Sequence, residues 1–414
     1  MSAKPSYGAV LRTPQAARTF GSALLGRLAY GILPLPLVLT VKNATGSYAA
    51  AGVLMSVYGA CSVLLSPYRA GLVDRFGPRR ALLPLAAVFA AFLVTLALVC
   101  WTPGAPVPLI GLLVALVGVS CPPLGPTMRV LWGRLVPDRA LLQRAYSLDG
   151  VVEELLFVAG PLIVGIPVVY ARPATGILAA AVLVLVGTTA MVTFPVAAQA
   201  EAKGKSPKGA KGPRVPGLAL PAAVAAATGL SLGGVGLLGI AFTEAHGHPE
   251  AISWVEAALV AGSAVGGLVY GAVNWRSGGR SRLLTIACLL GCALAAAGLA
   301  PGVFVLVPAV MVVGLFIAPA ITTAYLIADE AAGPDSRARA GAWVNTALNA
   351  GSSVGAAAVG VLVGHIPLTL SYLLVALPVL ATAAVGFVLR GRGRRAQSSS
   401  ESAPSSPPVA LSSS

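Results

Sequence analysis

The chain has 414 residues, 57% of them hydrophobic and only 10% charged, with a formal net charge of +15. A mean hydropathy of +0.86 excludes an ordinary soluble domain, whose surface must stay largely polar. The basic residues lie in short clusters between apolar runs, which argues against a nucleic-acid-binding face.

Residues 1–17 form a polar N-terminal arm with Lys4 and Arg12, and no cleavable signal peptide is apparent. Apolar runs near 18–40, 47–66, 81–101, 107–130, 145–170 and 175–195 follow, and after a break come 217–243, 251–273, 282–300, 303–328, 340–364 and 368–389. Each is long enough to cross the bilayer as a helix of about 20 residues. The sequence therefore predicts an all-α membrane protein with twelve transmembrane helices. The first six fill 18–196 and the last six 217–391. Between them, 197–216 is a Lys-, Gly- and Pro-rich linker, and 392–414 is a low-complexity tail expected to be disordered. Stripes such as Gly229, Gly233 and Gly236, or Gly351, Gly355 and Gly360, predict close helix contacts.

An even number of spans puts both termini on one side. Arginines and lysines crowd the N-terminal arm, the loops after even-numbered spans and the tail, whereas the other side holds only Lys42 and Arg172. The positive-inside rule places both termini in the cytoplasm of a plasma-membrane protein. The halves are also repeats. RAYSLDGVVEELLFVAGPLIVG from Arg144 aligns without a gap on RAGAWVNTALNAGSSVGAAAVG from Arg339, and GLVDRFGPRR from Gly71 has a fainter echo in GAVNWRSGGR from Gly271. Internal duplication of a helical membrane bundle marks secondary transporters, whose substrate site lies between the repeats.

The stretch RAGLVDRFGPRR, 69–80, reads as a short turn between spans 2 and 3. Topology accounts for Arg69, Arg75, Arg79 and Arg80, but acidic residues contribute little to orientation and Asp74 needs another reason. It can pair with a neighbouring arginine or sit at the N-terminal end of a helix from the other half. Leu72, Asp74, Arg75, Gly77, Arg79 and Leu82 resemble the loop motif of the major facilitator superfamily, with Ala70 and Pro78 departing from it. The resemblance implies two pseudo-symmetric six-helix bundles, and implies that Asp74 latches one half against the other. Its counterpart Asn274 carries no charge, so a symmetrical second latch should be weaker. In span 5, Gly160, Pro161 and Gly165 are similar to a Gly-Pro-x-x-Gly-Gly motif of drug–proton antiporters, with Val164 replacing one glycine. That likeness favours export.

Ionisable residues inside spans are functional candidates. The strongest are Arg27 in span 1 and Asp149, Glu153 and Glu154 in span 5. Asp149 and Glu153 share a helix face at i, i+4, and Glu154 points elsewhere. Arg27 and Glu153 each lie nine residues beyond a span's basic edge and so at similar depth, and the family resemblance implies that helices 1 and 5 are neighbours, which makes pairing of Arg27 with Glu153 or Glu154 feasible. Burial favours the protonated carboxylic acid and a nearby arginine the carboxylate, so one glutamate can exchange a proton. Glu154 is preferred, because its repeat counterpart is the polar Asn349. The family resemblance implies a cavity lined by spans 1, 4, 7 and 10, hence Arg27, Tyr30, Thr127, Met128, Thr228, Ser231, Thr322, Thr323 and Tyr325. Such lining suits an amphipathic small molecule.

The five cysteines lie inside apolar runs, and His246 and His248 read as solvated loop residues, so no metal or cofactor is expected. The expected function is a monomeric secondary transporter, most simply a proton-coupled exporter of small organic molecules. The alternatives are a proton-coupled uptake symporter for a metabolite and, more remotely, a receptor or enzyme without transport. No nucleophile–base pair or phosphate loop supports an enzyme.

Overall fold

A computed structural model of the protein describes residues 6–101, 104–136, 138–170, 172–198, 217–248, 251–333, 336–362 and 365–401, without the side chains of 48–49, 161–162, 164–170 and 390–401. The arm carries a short helix, α1 (Tyr7–Arg12), ahead of a first span bent into α2 (Ala16–Ile32) and α3 (Pro34–Thr45). The second span is α4 (Tyr48–Leu64) with α5 (Ser66–Phe76), the third α6 (Pro78–Val99), and the fourth α7 (Val107–Ser120) with α8 (Leu124–Leu135). The long α9 (Arg139–Tyr170), α10 (Ala174–Thr193) and the single turn α11 (Pro195–Ala198) follow. The second half consists of α12 (Ala219–Ala245), α13 (Ile252–Ala272), α14 (Gly279–Ala297), α15 (Val303–Ala331), α16 (Arg337–Leu362) and α17 (Leu368–Glu401). Ten helical stretches among the described residues are long and apolar enough to cross a membrane. The two further long helices, α9 and α16 with 32 and 26 residues, are the fifth of each half and bear more polar side chains. Together they make the twelve predicted.

Glycine sets how closely these helices approach. A Cβ on Gly229 or Gly233 of α12 would collide with the carbonyls of Leu348 or Ser352, and one on Gly351 or Gly355 of α16 with those of Ala226 or Leu230. Lipid offers helices no hydrophobic incentive to associate, so this backbone proximity supplies the attraction. Gly236, read as part of the same stripe, faces open space, and Gly360 meets only a Leu237 side chain.

The short turn expected between spans 2 and 3 is a single glycine between two helices. Pro67 sits in the first turn of α5, which stays helical to Phe76; Gly77, with φ 83°, stops it, and Pro78 opens α6. Arg69 lies inside that corner, 5% exposed, and topology does not explain it. The break between α7 and α8 holds Pro122 and Pro123, which have no N–H for the carbonyls of Gly118 and Val119. Arg69 Nη1 donates to both, at 2.8 and 2.9 Å, and Nη2 donates to the carbonyl of Ser62. One guanidinium thus satisfies carbonyls that would otherwise stay unpaired in the membrane. Pro67 similarly frees the carbonyl of Val63, and Thr346 of the other half donates to it at 3.0 Å.

Candidate functional site

The interior between the halves contains a compact network of ions. Arg27 on α2 donates from Nη1 to Asp149 Oδ1 of α9 at 2.9 Å and from Nη2 to the carbonyl of Gly125 at 3.2 Å. Arg129 on α8 approaches Asp149 Oδ2 with Nε at 3.5 Å and donates from Nη2 to Glu153 Oε2 at 2.5 Å. Gly125 makes room for this, since a Cβ there would stand 3.2 Å from Glu153 Oε1. Asp149 is fully buried, whereas the Glu153 side chain is 25% exposed and is the open member of the network. The other face of Arg129 stacks on Tyr325 of α15, 3.8 Å from the ring centroid, and Tyr325 donates to Asn345 at 3.2 Å. Arg129 therefore joins two carboxylates of the first half to an aromatic ring of the second.

Glu154 leaves this group, as its helix phase requires. It crosses to the second half, where Ser263 Oγ of α13 donates to its Oε1 at 2.9 Å, and its buried Oε2 has no hydrogen-bond partner. Ser263 lies nine residues before the end of α13, about 14 Å into the bundle, so the contact is near mid-membrane.

Below this level, toward the basic loops, the halves are bolted together. Asp74 accepts from the first-turn amides of α16, from Ala338 N at Oδ1 (3.1 Å) and Arg339 N at Oδ2 (2.9 Å). This is the helix N-terminal contact the sequence allowed, where a carboxylate meets unpaired amides and the positive end of the helix dipole. Buried Ala70, Ala338 and Ala342 let α5 approach that closely. Arg75 and Arg79 are exposed, with Arg75 lying over the ring of its neighbour Phe76, and Gly77 serves as the helix stop. Arg144 donates to the carbonyl of Ala272 (2.7 Å), Gln143 to those of Tyr270 and Val273 (2.9 and 3.0 Å), and Tyr7 of the arm to that of Leu268 (2.5 Å).

The other expected residues separate into two groups. Tyr30 faces the break in span 4, donating to the carbonyl of Pro122 at 2.7 Å, and Thr322 faces Gly150 across the halves. Thr127 and Met128 are fully buried, Thr127 bonding within its own helix to Pro123. Ser231 bonds to Ala227 and to Val375 of α17, and Thr323 to Tyr270, so both lie in helix contacts of the second half. Thr228 lines a small apolar gap in that half with Leu259 and Val313. Thr127, Met128, Thr228, Ser231 and Thr323 stand in helix packing in this conformation, and in spans rich in Ala, Gly and Val the sequence does not reveal which face turns inward. Arg27 pairs with Asp149, and with neither glutamate, because Arg129 holds Glu153 and Ser263 holds Glu154. Gly160 packs its α-carbon against the backbone of Gly31, and the side chains of Pro161 and Gly165 lie outside the described residues. Among the described residues no cluster of metal-ligating side chains occurs.

Arg129 escaped the sequence reading, which ended span 4 at 130. Arg134 was the available signal, since a helix that reaches it buries Arg129 more than a turn deeper.

The family model of the major facilitator superfamily matches residues 19–228 and 221–413, which together span nearly the whole chain. The chain belongs to that superfamily. Among solved structures, the human organic anion transporter MFSD10 (TETRAN) is similar, at 14% identity and a TM-score of 0.69, over 92% of this chain and 100% of that one. A bacterial homologue of the iron transporter ferroportin in an outward-facing state is 14% identical with a TM-score of 0.66, over 90% and 97%. The E. coli fucose:proton symporter FucP is 12% identical with a TM-score of 0.63, over 89% and 98%. Among curated proteins none matches the chain in sequence. These likenesses give the superfamily fold, and the chain is a multi-pass membrane transporter of that family.

In this superfamily member the Asp74 contact makes a direct prediction. Asp74→Asn keeps one acceptor oxygen and loses the charge, an effect of about 1 kcal/mol at a helix N-terminus, or roughly fivefold. A thiol introduced as Ser147→Cys, buried against Gly271 of the other half, reports opening of this end. In a chain otherwise freed of cysteines, Asp74→Asn is expected to speed its alkylation about fivefold and to slow transport. Unchanged alkylation with full transport would remove the latch role.

Proposed function

We propose that this transporter exports small organic molecules in exchange for protons, with its basic loops and both termini in the cytoplasm and its two bundles rocking about the ion network. The contact between Glu154 and Ser263 carries the reading. Asp149, Glu153 and Glu154 would bring three negative charges into the closed interior against two positive ones on Arg27 and Arg129. Uncompensated charge in a membrane interior is costly, so the closed arrangement favours a protonated Glu154. Its unpartnered Oε2 is where that proton would sit.

Opening at the cytoplasmic end separates Glu154 from Ser263 and Arg129 from Tyr325. Water reaching Glu154 then lets it lose its proton, and the interior gains one negative charge. A cationic amphiphile is the substrate class that such a site attracts, with Tyr30 and Tyr325 offering aromatic surface. When the halves close again at this end, the proton returns to Glu154 from outside and the cation leaves. The partial likeness of Gly160, Pro161 and Gly165 to the antiporter motif supports this direction of transport.

The test uses inverted vesicles carrying a preformed proton gradient, to which lipophilic cations and other amphipathic compounds are added one at a time. A compound should collapse the gradient through the wild type and fail to do so through Glu154→Gln. Silence across a broad set would overturn drug-type export, and inward counterflow of a sugar, amino acid or organic acid would make the protein an uptake symporter.

A further inference from the structure

The two halves close against each other unequally. The corner between α5 and α6 docks directly on the start of α16 through Asp74. By the internal repeat, the corner between α13 and α14 stands in the same relation to the start of α9. Its residue in the place of Asp74 is Asn274, whose side-chain oxygen accepts from Arg144 Nη2 at 3.3 Å. Between this corner and the start of α9 lies a cavity of about 480 Å³.

Arg139, Arg276 and Arg282 line the cavity together with Asp138 and Glu330, leaving one positive charge uncompensated. Both carboxylates are already engaged. Asp138 Oδ2 caps α9 by accepting from Leu141 N at 2.8 Å, and Glu330 Oε1 holds Arg139 Nη2 at 2.5 Å. Arg282 has no carboxylate partner among the described residues. Its Nη1 reaches Gln143 at 3.4 Å, its guanidinium lies 5.2 and 5.7 Å from the Tyr270 and Trp275 rings, and its buried Nε has no hydrogen-bond partner. Arg276 is exposed at the rim and makes no ion pair with a described residue. The floor is the start of α14, with no side-chain cap and no acidic residue in its first turn. Two guanidiniums without carboxylates and a set of uncapped amides suit a tetrahedral oxyanion.

We propose that this cavity binds a phosphate-bearing anion, which supplies at the second corner the negative charge that Asp74 supplies at the first, and so holds this end of the transporter shut. The phosphate can belong to the headgroup of an anionic phospholipid or to a free phosphate compound, and the chemistry of recognition is the same. The proposal rests on the superfamily fold and is independent of whether Glu154 carries protons.

The full chain, freed of native cysteines and carrying Ser147→Cys, is placed in nanodiscs of phosphatidylcholine, and alkylation of the thiol is timed. Inorganic pyrophosphate is added to one sample, and phosphatidylglycerol is mixed into the bilayer of another. At least one is expected to slow alkylation about fivefold, and which of them does so identifies the source of the phosphate. Arg276→Gln, at an exposed position, should weaken this protection about threefold, and adding Arg282→Gln should abolish it. Arg280→Gln removes the same charge from a residue outside the cavity lining and should leave protection intact. Asn274→Asp should slow alkylation with no anion present, because its carboxylate does the anion's work. The proposal fails if neither probe protects, if protection survives the Arg276→Gln, Arg282→Gln double variant, or if Arg280→Gln removes it equally.

Discussion

Glu154→Gln is expected to abolish uphill transport while downhill exchange of substrate continues, with weaker substrate binding. The amide keeps the shape of the carboxylic acid and still accepts the hydrogen bond that Ser263 donates at 2.9 Å. It cannot gain or lose a proton. With Gln at this position the interior holds two carboxylates and two guanidiniums in every state, so both conformations stay accessible and the cycle continues uncoupled. Exchange of one proton per substrate against a gradient of one pH unit sustains about a tenfold substrate gradient in the wild type. In the variant that ratio should fall to one, with counterflow continuing at a raised KM because the cation loses the carboxylate that attracts it. Glu153→Gln should behave differently, because it removes the charge that Arg129 contacts at 2.5 Å and leaves Asp149, at 3.5 Å, as the one carboxylate beside an arginine that also lies on the Tyr325 ring. It should impair exchange and accumulation together. The proton role of Glu154 would not survive accumulation by Glu154→Gln at the wild-type level.

The pattern of these contacts explains which parts could be read in advance. Spans were legible because crossing lipid demands a long apolar run, and that demand is local. The Asp74 contact was legible because a carboxylate among arginines, at a corner where topology gives it no work, needs a partner from elsewhere. The fifth helix of each half announced itself by its polarity in an otherwise apolar chain. Pairing was harder to foresee. Whether Arg27 meets Asp149 or a glutamate depends on where Arg129 lies, and a one-turn error in the end of α8 concealed that residue. Arg69 looked like one more topology arginine, and its role emerges only when Pro122 and Pro123 are seen to strip hydrogen bonds from a helix nearly fifty residues away. The hydroxyls of Thr127, Ser231 and Thr323 could not be phased, because neighbours of nearly uniform apolarity leave a helix without a marked inner face. Local demands can be read from the sequence here, and partnerships between distant segments require the fold.

Asp149→Asn should damage folding more than any other single change in the network. Asp149 is fully buried between two guanidiniums, at 2.9 Å from Arg27 and 3.5 Å from Arg129. Taking away its charge leaves Glu153 as the one carboxylate beside both, and Glu153 is already committed to Arg129. Arg27 then keeps the carbonyl of Gly125 at 3.2 Å and a neutral amide oxygen in place of the carboxylate. Removing one partner of a buried ion pair typically costs about 3–5 kcal/mol, because the surviving charge stays desolvated. Against a total stability on the order of 5–15 kcal/mol, that loss should lower both the unfolding temperature in detergent and the amount of protein in the membrane. The second change Arg27→Gln should restore much of what the first removes, since the Arg129–Glu153 pair is then balanced by itself. Such a recovery is the mark of a direct interaction, since distant and independent substitutions would add. If Asp149→Asn unfolds at the wild-type temperature, or if Arg27→Gln deepens the loss, the two residues do not form the pair on which this interior is built.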